Sequence, residues 1–332
     1  MPHFFCGLAA PRVRDTFPAR SVLALVLGGL LVFALARGEA RAEEDIQWAI
    51  QARLADHSLL LDVCSVDGML AAAGERGHIL LSTDQGKSWT QAAVPTRTTL
   101  TAIHFFDARL GWAAGHDGII LRTRDGGLTW DRVRFAPEQE QPLLDIWFQN
   151  EKQGYAIGAY GLFLVTSDGG DTWSQEQVSD EEWHLNHLAA TDSGRLFIAA
   201  EAGRIYRSDS SGENWVSLPS PYEGSFFGTL PLEDGSLLLF GLRGHLFRSE
   251  DAGRTWEAVQ SSTTASLNHG LVLDDGTILL AGLGGTLLVS RDCGRTFQLQ
   301  RQKDRQGIVA LAQAADGSVI AVGEFGVRIL EL

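Results

Sequence analysis

Short apolar segments alternate with polar turns along most of the chain, and the alternation is clearest between residues 100 and 135. The apolar and β-branched runs there cover 100–106, 111–114, 118–123 and 128–135, and turn-forming residues bound each of them. Runs of this length between turn residues are typical of β-strands. No segment after residue 42 shows sustained helical periodicity. We therefore predict an all-β fold.

A short phrase of the form Ser/Thr-x-Asp-x-Gly-x-Thr-Trp recurs at intervals of 41 to 43 residues. A period near forty residues, with four predicted strands per unit, is typical of the blades of a β-propeller. The phrase falls between the third and fourth predicted strands of each unit. Its six copies end at Trp89, Trp130, Trp173, Trp215, Trp256 and Phe297.

A Gly-x-x-Gly turn falls between the second and third strands of each unit, and it occurs once more often than the phrase. We expect these glycines to supply the positive φ that a tight hairpin needs. The fourth unit keeps only Gly203, with Ala200 in the first position. Counting the turns predicts seven four-stranded blades. The complete pairs are Gly74/Gly77, Gly115/Gly118, Gly158/Gly161, Gly241/Gly244, Gly282/Gly285 and Gly323/Gly326.

The last unit lacks a strand, because only three apolar runs lie between residues 308 and 332. Trp48 precedes Trp89 by 41 residues, which is the spacing of the other phrases. We predict that residues 45–50 supply the outer strand of the last blade and close the ring. This pairing would also cover an exposed sheet edge.

The first 42 residues have the features of a secretory signal. Three arginines precede an apolar run at 21–36, and Ala40-Arg41-Ala42 has the small-x-small form of a cleavage site. An uncleaved anchor is the alternative, although this run is short for a hydrocarbon core of about 30 Å. We predict an exported protein, periplasmic or lumenal, with a signal peptide over 1–42 and a single propeller domain over 43–332.

The formal net charge of −14 argues against nucleic acid as a partner, because phosphate binding requires a concentrated positive field. Cys64 falls in an apolar strand and Cys293 in the sixth phrase. Such different positions in the repeat rarely approach within the roughly 7 Å that a disulfide allows. No Cys/His spacing resembles a zinc site. We therefore expect two free cysteines, no metal or other cofactor, and a monomer.

The repeated aspartates are interpreted as structural. Each can accept hydrogen bonds from its own turn, while the following glycine takes an unusual backbone angle and the aromatic ring packs between sheets. Six separate turns cannot converge on one reaction site, and the fourth copy has Ser210 in place of Asp. The aspartates are Asp84, Asp125, Asp168, Asp251 and Asp292.

The phrase resembles the Asp-box, or BNR repeat, of sialidases and several other propellers. The longer pattern at 105–130, repeated at 154–173, resembles the photosystem II stability/assembly factor family over essentially the whole chain after residue 42. The resemblance implies a bacterial member of a family of secreted or lumenal seven-bladed propellers. These act without catalysis in the assembly of membrane complexes. The family also has relatives in bacteria without a photosystem. They imply an alternative function as an accessory protein of an export-pump system.

In a propeller, the turns between strands two and three share one face with the links between blades, and the Asp-boxes occupy the other. Loops held on a rigid scaffold are where binding residues are expected. We therefore place the site for a membrane protein complex or envelope protein on this face, together with the links 132–142, 178–184 and 298–305. The candidates are Glu75, Arg76, His116, Asp117, Tyr160, Trp183, Glu201, Arg243 and Phe325.

Two other functions stay open on the same face. A retaining sialidase requires arginines for the substrate carboxylate and a tyrosine nucleophile paired with a glutamate. Residues of roughly these kinds on the face are Arg76, Arg243, Tyr160, Glu201 and Asp117. However, sialidases have six blades and an early Arg-Ile-Pro segment, which this sequence lacks. A sugar-binding module would instead use the aromatic rings of Tyr160, Trp183 and Phe325.

Overall fold

The computed structural model describes residues 46–191 and 193–332. The predicted signal peptide lies outside these residues. Seven antiparallel sheets follow one another along the described chain, so the predicted all-β, seven-bladed fold is confirmed. Across the same two ranges, no helix is long and apolar enough to cross a membrane.

Within each blade the strands pair in chain order, and the first strand contacts the first strands of the neighbouring blades at the centre of the ring. Blades one to three contain β1–β12: Leu60–Val66, Met69–Gly74, Ile79–Ser82, Thr90–Gln91; Leu100–Phe105, Gly111–Gly115, Ile120–Thr123, Asp131–Arg134; Leu143–Phe148, Gly154–Gly158, Phe163–Thr166, Ser174–Glu176. Blades four to seven contain β13–β27: Leu185–Ala190, Leu196–Ala200, Ile205–Ser208, Val216–Ser217; Phe226–Pro231, Leu237–Gly241, Leu246–Ser249, Glu257–Ala258; Leu267–Val272, Ile278–Gly282, Thr286–Ser290, Gln298–Arg301; Ile308–Gln313, Val319–Gly323, Gly326–Leu330.

Single turns of 3₁₀ helix follow the second strand in blades one to six, and two more lie before the first blade and after the second. Their bounds are Ala55–His57, Glu75–Gly77, His116–Gly118, Pro137–Gln139, Ala159–Gly161, Glu201–Gly203, Leu242–Gly244 and Leu283–Gly285.

Neighbouring blades pack face to face, and the aromatic residue of each Asp-box enters the apolar cluster between its own blade and the preceding one. Trp130 is 4% exposed and packs with Ile79 of the first blade and Phe105 of its own blade. A buried aromatic surface of about 200 Å² contributes at most roughly 5 kcal/mol. The residues in equivalent clusters are Trp89, Trp173, Trp215, Trp256 and Phe297.

The predicted closing strand is wrong. Among the described residues the last blade has three strands. Residues 46–50 lie instead along the outer side of the first blade, where the Ala49 N–H donates to the Val94 carbonyl at 2.9 Å. Burial of the Ala49 side chain holds the segment there, whereas Trp48 is 52% exposed. The first and last blades meet through an apolar cluster that includes Trp89, so side-chain packing closes the ring.

The glycine turns differ from the prediction in one respect. In the first blade the positive φ values fall on Arg76 and Gly77, at 57° and 72°, whereas Gly74 is extended at φ −172°. Gly74 is needed for space instead, because a Cβ there would lie 2.2 Å from the Leu59 carbonyl oxygen. The first glycine therefore permits a close backbone approach. The second of the two residues between the glycines adopts the left-handed conformation, as does the second glycine.

Both cysteines are free, as predicted. Cys64 is partly buried in β1, and burial raises the pKa of its thiol, so it carries little thiolate at neutral pH. Cys293 is exposed in the sixth Asp-box, where it takes a φ of 55°.

The Asp-boxes form the predicted hydrogen-bonded turns. In the first, Asp84 Oδ1 accepts from the Ser88 N–H at 2.9 Å and Oδ2 accepts from the Ser88 hydroxyl at 2.6 Å. The Ser82 hydroxyl donates to Asp84 and accepts from the Gly86 N–H at 3.0 Å. Gly86 has a φ of 79°, as expected for this position. The same pattern surrounds Asp125, Asp168, Asp251 and Asp292.

Replacing a box carboxylate should weaken the fold and reduce its sensitivity to acid. The N–H and hydroxyl of Thr255 hold the pKa of Asp251 at about 2, below the value of about 3.9 in an unfolded chain. A lowered folded-state pKa stabilises the fold above the unfolded value, and this stabilisation is lost as the pH falls from about 4 to about 2. In urea unfolding, Asp251→Asn should therefore be less stable than wild type at neutral pH, with a smaller loss near pH 3.

The fourth Asp-box, with Ser210 at the aspartate position, allows the opposite substitution, in which a carboxylate is introduced. Ser210 Oγ accepts the Asn214 N–H at 3.0 Å without a carboxylate. Ser210→Asp should therefore raise the midpoint of thermal unfolding at neutral pH, since charged acceptors form stronger hydrogen bonds. Unchanged stability in both variants would contradict the structural role of the box aspartates.

Candidate binding face

A repeated backbone hydrogen bond joins each turn after a second strand to the link that enters the same blade. The Glu75 N–H donates to the Leu59 carbonyl at 3.0 Å, and the equivalent bond occurs in every blade. Turns and links therefore share one surface, here called the turn face, while the Asp-boxes lie at the opposite ends of the third strands. The other donors are His116, Ala159, Glu201, Leu242, Leu283 and Glu324.

Four turns hold an exposed, non-glycine side chain on a left-handed backbone. Arg76, Asp117, Tyr160 and Arg243 have φ between 56° and 57°, whereas Gly284 occupies this position in the sixth blade. An L-residue in this conformation costs about 1–2 kcal/mol. Non-glycine residues of four Asp-boxes, among them Cys293, have a similar φ, so the exposed charged and aromatic side chains, and not the strain alone, make these turns candidates for binding.

Glutamate carboxylates in three turns accept hydrogen bonds from link backbone. Glu324 accepts from the Gly307 N–H at 2.8 Å, and Glu201 accepts from the His184 N–H at 3.3 Å. The corresponding contact of Glu75 is 3.4 Å long. The sequence-predicted candidates Glu75 and Glu201 therefore hold the links against the turns.

Tyr160, His184 and Glu201 lie together between the third and fourth blades. The Tyr160 ring is 54% exposed and meets the His184 ring edge-on, with centroids 5.0 Å apart. His184 Nδ1 lies 3.9 Å from Glu201 Oε2. Arg76 and Arg243 belong to the first and fifth blades. No hydrogen bond or ion pair among the described residues joins either arginine to this cluster. Two of the five glycosidase candidates, Tyr160 and Glu201, are thus brought together.

The other two aromatic candidates lie beneath arginine side chains. Arg204 Cζ is 5.7 Å from the centre of the Trp183 ring, and Arg328 Cζ is 3.4 Å from that of Phe325. These cation–π contacts occupy a ring face on which a sugar would stack. Tyr160 therefore offers the most exposed ring of the three.

The remaining candidates are charged or titratable side chains on the surface. His116 and Asp117 are exposed in the second blade, where Asp117 Oδ2 accepts from the Thr98 hydroxyl at 2.9 Å. Arg76 and Arg243 are exposed in the first and fifth blades. The turn face thus presents charges of both signs from separate rigid blades, an arrangement suited to a broad protein contact.

The centre of the ring is a channel of about 330 Å³ lined by the first strands of all seven blades. Its carboxylates bond to the next blade: Asp62 Oδ2 accepts from the Ile103 N–H and Asp145 Oδ2 from the Leu188 N–H, both at 2.8 Å. Burial raises the pKa of Asp62 to about 7. Neither aspartate is among the sequence-predicted candidates. The signal that marks them is a single acidic residue within a mostly apolar first strand.

Among the described residues, six four-stranded blades with Asp-box turns, a seventh blade of three strands and a separate turn face define a BNR-type β-propeller. The chain matches the family described as "Photosynthesis system II assembly factor YCF48" over residues 39–140 and 129–271. These matches cover more than half of the sequence, and the chain belongs to this family.

Two curated relatives share parts of the chain. The chloroplastic photosystem II stability/assembly factor HCF136 of Cyanidioschyzon merolae is 32% identical over 118 residues, which cover 34% of this chain and 26% of the relative. The photosystem II assembly protein Ycf48 of Thermosynechococcus vestitus is 38% identical over 131 residues, which cover 39% and 38%. The chain thus aligns with less than half the length of either relative.

A solved structure described as "YCF48 bound to D1 peptide" has the same fold. It superposes with a TM-score of 0.71 at 20% sequence identity, covering 86% of this chain and 97% of the other.

Removing backbone strain from the turn face should stabilise the protein. Arg243→Gly is expected to increase the free energy of unfolding by up to about 1 kcal/mol, because glycine adopts a φ of 57° without steric cost. The matched change Gly284→Arg should decrease the free energy of unfolding by a similar amount. A Cβ at Gly284 meets no atom within 4 Å, so the backbone strain at a φ of 63° is the cost that this variant adds. Urea unfolding measures both. A destabilised Arg243→Gly variant would show that this turn is not strained.

Proposed function

We propose that the protein is an exported, non-enzymatic scaffold that binds a membrane protein complex through its turn face and assists assembly of that complex. The observation that carries the proposal is the set of exposed Arg76, Asp117, Tyr160 and Arg243 side chains on strained turns. Each turn is fixed to its blade by the repeated link hydrogen bond. A rigid display lowers the conformational entropy lost on binding.

Family membership supports the assembly role. The two relatives are described as photosystem II assembly or stability factors, and the solved relative binds a D1 peptide. We infer a photosystem II component as the partner, with an export-pump complex as the alternative. Residues 1–42 support export, because their arginines, apolar run and small-x-small site have the form of a secretory signal.

Charge reversal on the turn face should remove partner binding. The double variant Arg76→Glu/Arg243→Glu is expected to reduce capture of the dominant membrane-complex partner from crosslinked envelope extract at least about tenfold, since buried arginines frequently dominate interface energetics. Quantitative mass spectrometry of the captured proteins measures the change.

The Asp-box face supplies a control in the same two blades. Lys87 and Arg254 are exposed in the boxes of the first and fifth blades, so Lys87→Glu/Arg254→Glu makes the same change of charge on the opposite surface. Capture by this variant should stay within about twofold of wild type. Equal capture by both double variants, or loss confined to the control, would contradict the proposal.

A glycosidase is the second candidate, because Tyr160 and Glu201 both lie against His184. It predicts release of a fluorophore from a methylumbelliferyl sialoside by wild type and none by Tyr160→Phe. We expect no release by either, since the candidate arginines lie on other blades and provide no clamp for the substrate carboxylate. Turnover that depends on Tyr160 would replace the scaffold proposal.

A further inference from the structure

The outer edge of the last blade differs from that of every other blade. Within the described residues, β27 (Gly326–Leu330) pairs with β26 from Gly323↔Gly326 to Val319↔Leu330 and has no strand on its other side. The third strands of the other six blades each pair with a fourth strand. An unpaired strand edge is a template for another extended chain.

Equivalent positions show which backbone groups of β27 face outward. The carbonyls of Ile79, Ile205 and Leu246 accept hydrogen bonds from the segment that forms or follows the fourth strand of their blades. Each lies opposite the next-to-last residue of the second strand, the position that Val327 holds in the last blade. Because hydrogen-bonding directions alternate along a strand, Val327 and Ile329 direct their backbone N–H and C=O groups to the open edge.

Apolar side chains and charges of both signs surround this edge. Ile329 is 43% exposed and Leu332 is 54% exposed. Arg328 Nη1 lies 2.7 Å from Asp304 Oδ2, which places the link between the sixth and seventh blades beside β27. Arg301, which ends β24, and Lys303 and Arg305 of the link are exposed at the Gly326 end of β27, whereas the exposed Glu331 follows the other end.

The cluster between the sixth and seventh blades also differs in composition. In the described part of the chain, it is the interblade cluster that receives no aromatic residue from an Asp-box. Phe325 and Leu330 pack there instead. A strand added to β27 would therefore reach an interface where an additional aromatic ring completes the pattern of the other blades.

We propose that the outer edge of β27 accepts an extended acidic segment of a partner protein, carrying a Trp or Phe, as the fourth strand of the last blade. Backbone hydrogen bonds to Val327 and Ile329 would supply affinity, and side-chain contacts would supply specificity. An acidic residue opposite Val327 would complement the exposed Lys303 and Arg305 at that end of the strand. The proposal rests on the scaffold function for the nature of the partner, but it uses none of the charged turn-face residues.

Two other occupants are disfavoured. Residues 46–50 are held on the first blade by the Ala49–Val94 hydrogen bond and the burial of Ala49. A second copy would pair β27 with β27, and residues 326–332 contain no Trp or Phe to enter the cluster between the sixth and seventh blades. Both arrangements remain distinguishable outcomes of the test.

A capped synthetic peptide with the sequence of residues 168–178 is a suitable probe. It copies the box and fourth strand of the third blade, and it contains Trp173 with three carboxylates. We expect saturable binding to the full chain in fluorescence anisotropy. Amide exchange at Val327 and Ile329 should slow at least about tenfold in its presence, because strand pairing protects amides from exchange.

Edge variants test the position of binding. Ile329→Pro removes an outward N–H while leaving the pairing with β26, and it should weaken peptide binding at least about tenfold. Ile329→Ala keeps the N–H and should weaken binding no more than about threefold. A peptide with lysine in place of Glu176, which pairs in the third blade with the residue equivalent to Val327, should bind more weakly than the parent peptide.

Three results would overturn the proposal: no peptide binding by wild type, equal binding by Ile329→Pro, or amides at Val327 and Ile329 that are already protected without peptide. If these amides already exchange slowly without peptide, sedimentation velocity distinguishes strand pairing in a dimer from strand pairing within one chain. If the proline variant does not fold, the exchange measurement on wild type decides. If both proposals are correct, Arg76→Glu/Arg243→Glu loses partner capture but keeps peptide binding. If that double variant keeps both partner capture and peptide binding, the turn-face proposal is rejected and the β27 proposal is not.

Discussion

The hydrogen bonds of the Asp-box carboxylates are the interaction on which the ring depends. Each carboxylate binds an N–H and a hydroxyl four residues further on, which closes the turn and sets the direction of the aromatic residue that follows. In the second box the Trp130 indole N–H donates to the Gly127 carbonyl at 2.9 Å, so the ring enters the interblade cluster with its polar atom satisfied. Turn geometry, aromatic burial and blade packing are thus linked.

The same hydrogen bonds direct attention away from the boxes as a site of function. Carboxylates that are already bound to protein donors have little capacity left for a substrate, and they lie on separate turns. The turn face is different, because it presents the exposed charged and aromatic side chains of Arg76, Tyr160 and Arg243. Exposed side chains on loops that a rigid fold holds in place are where binding residues are expected.

Much of the fold follows from the period of the sequence. Spacing alone predicts the blades, the box turns and the shared face of turns and links, because each repeat contains all of its own strand pairing. It does not predict ring closure. Trp48 has the correct spacing, yet local burial of Ala49 and its hydrogen bond to Val94 place that segment on the first blade.

The site is less predictable because it depends on contacts between repeats. Tyr160 and Glu201 come from different blades, and His184, which joins them, lies in a link without a sequence signal. The arginines that cover Trp183 and Phe325 are likewise recognisable only in three dimensions. Alternative functions that depend on exposed rings therefore lose support only when these contacts are known.

The central claim is that the turn face binds the partner while the Asp-boxes maintain the ring. Hydrogen exchange of the full chain, free and bound to its captured membrane complex, tests this claim most directly. The account predicts slower exchange in the turns around Arg76, Tyr160 and Arg243 and unchanged exchange in the boxes. Protection confined to the box turns would contradict it.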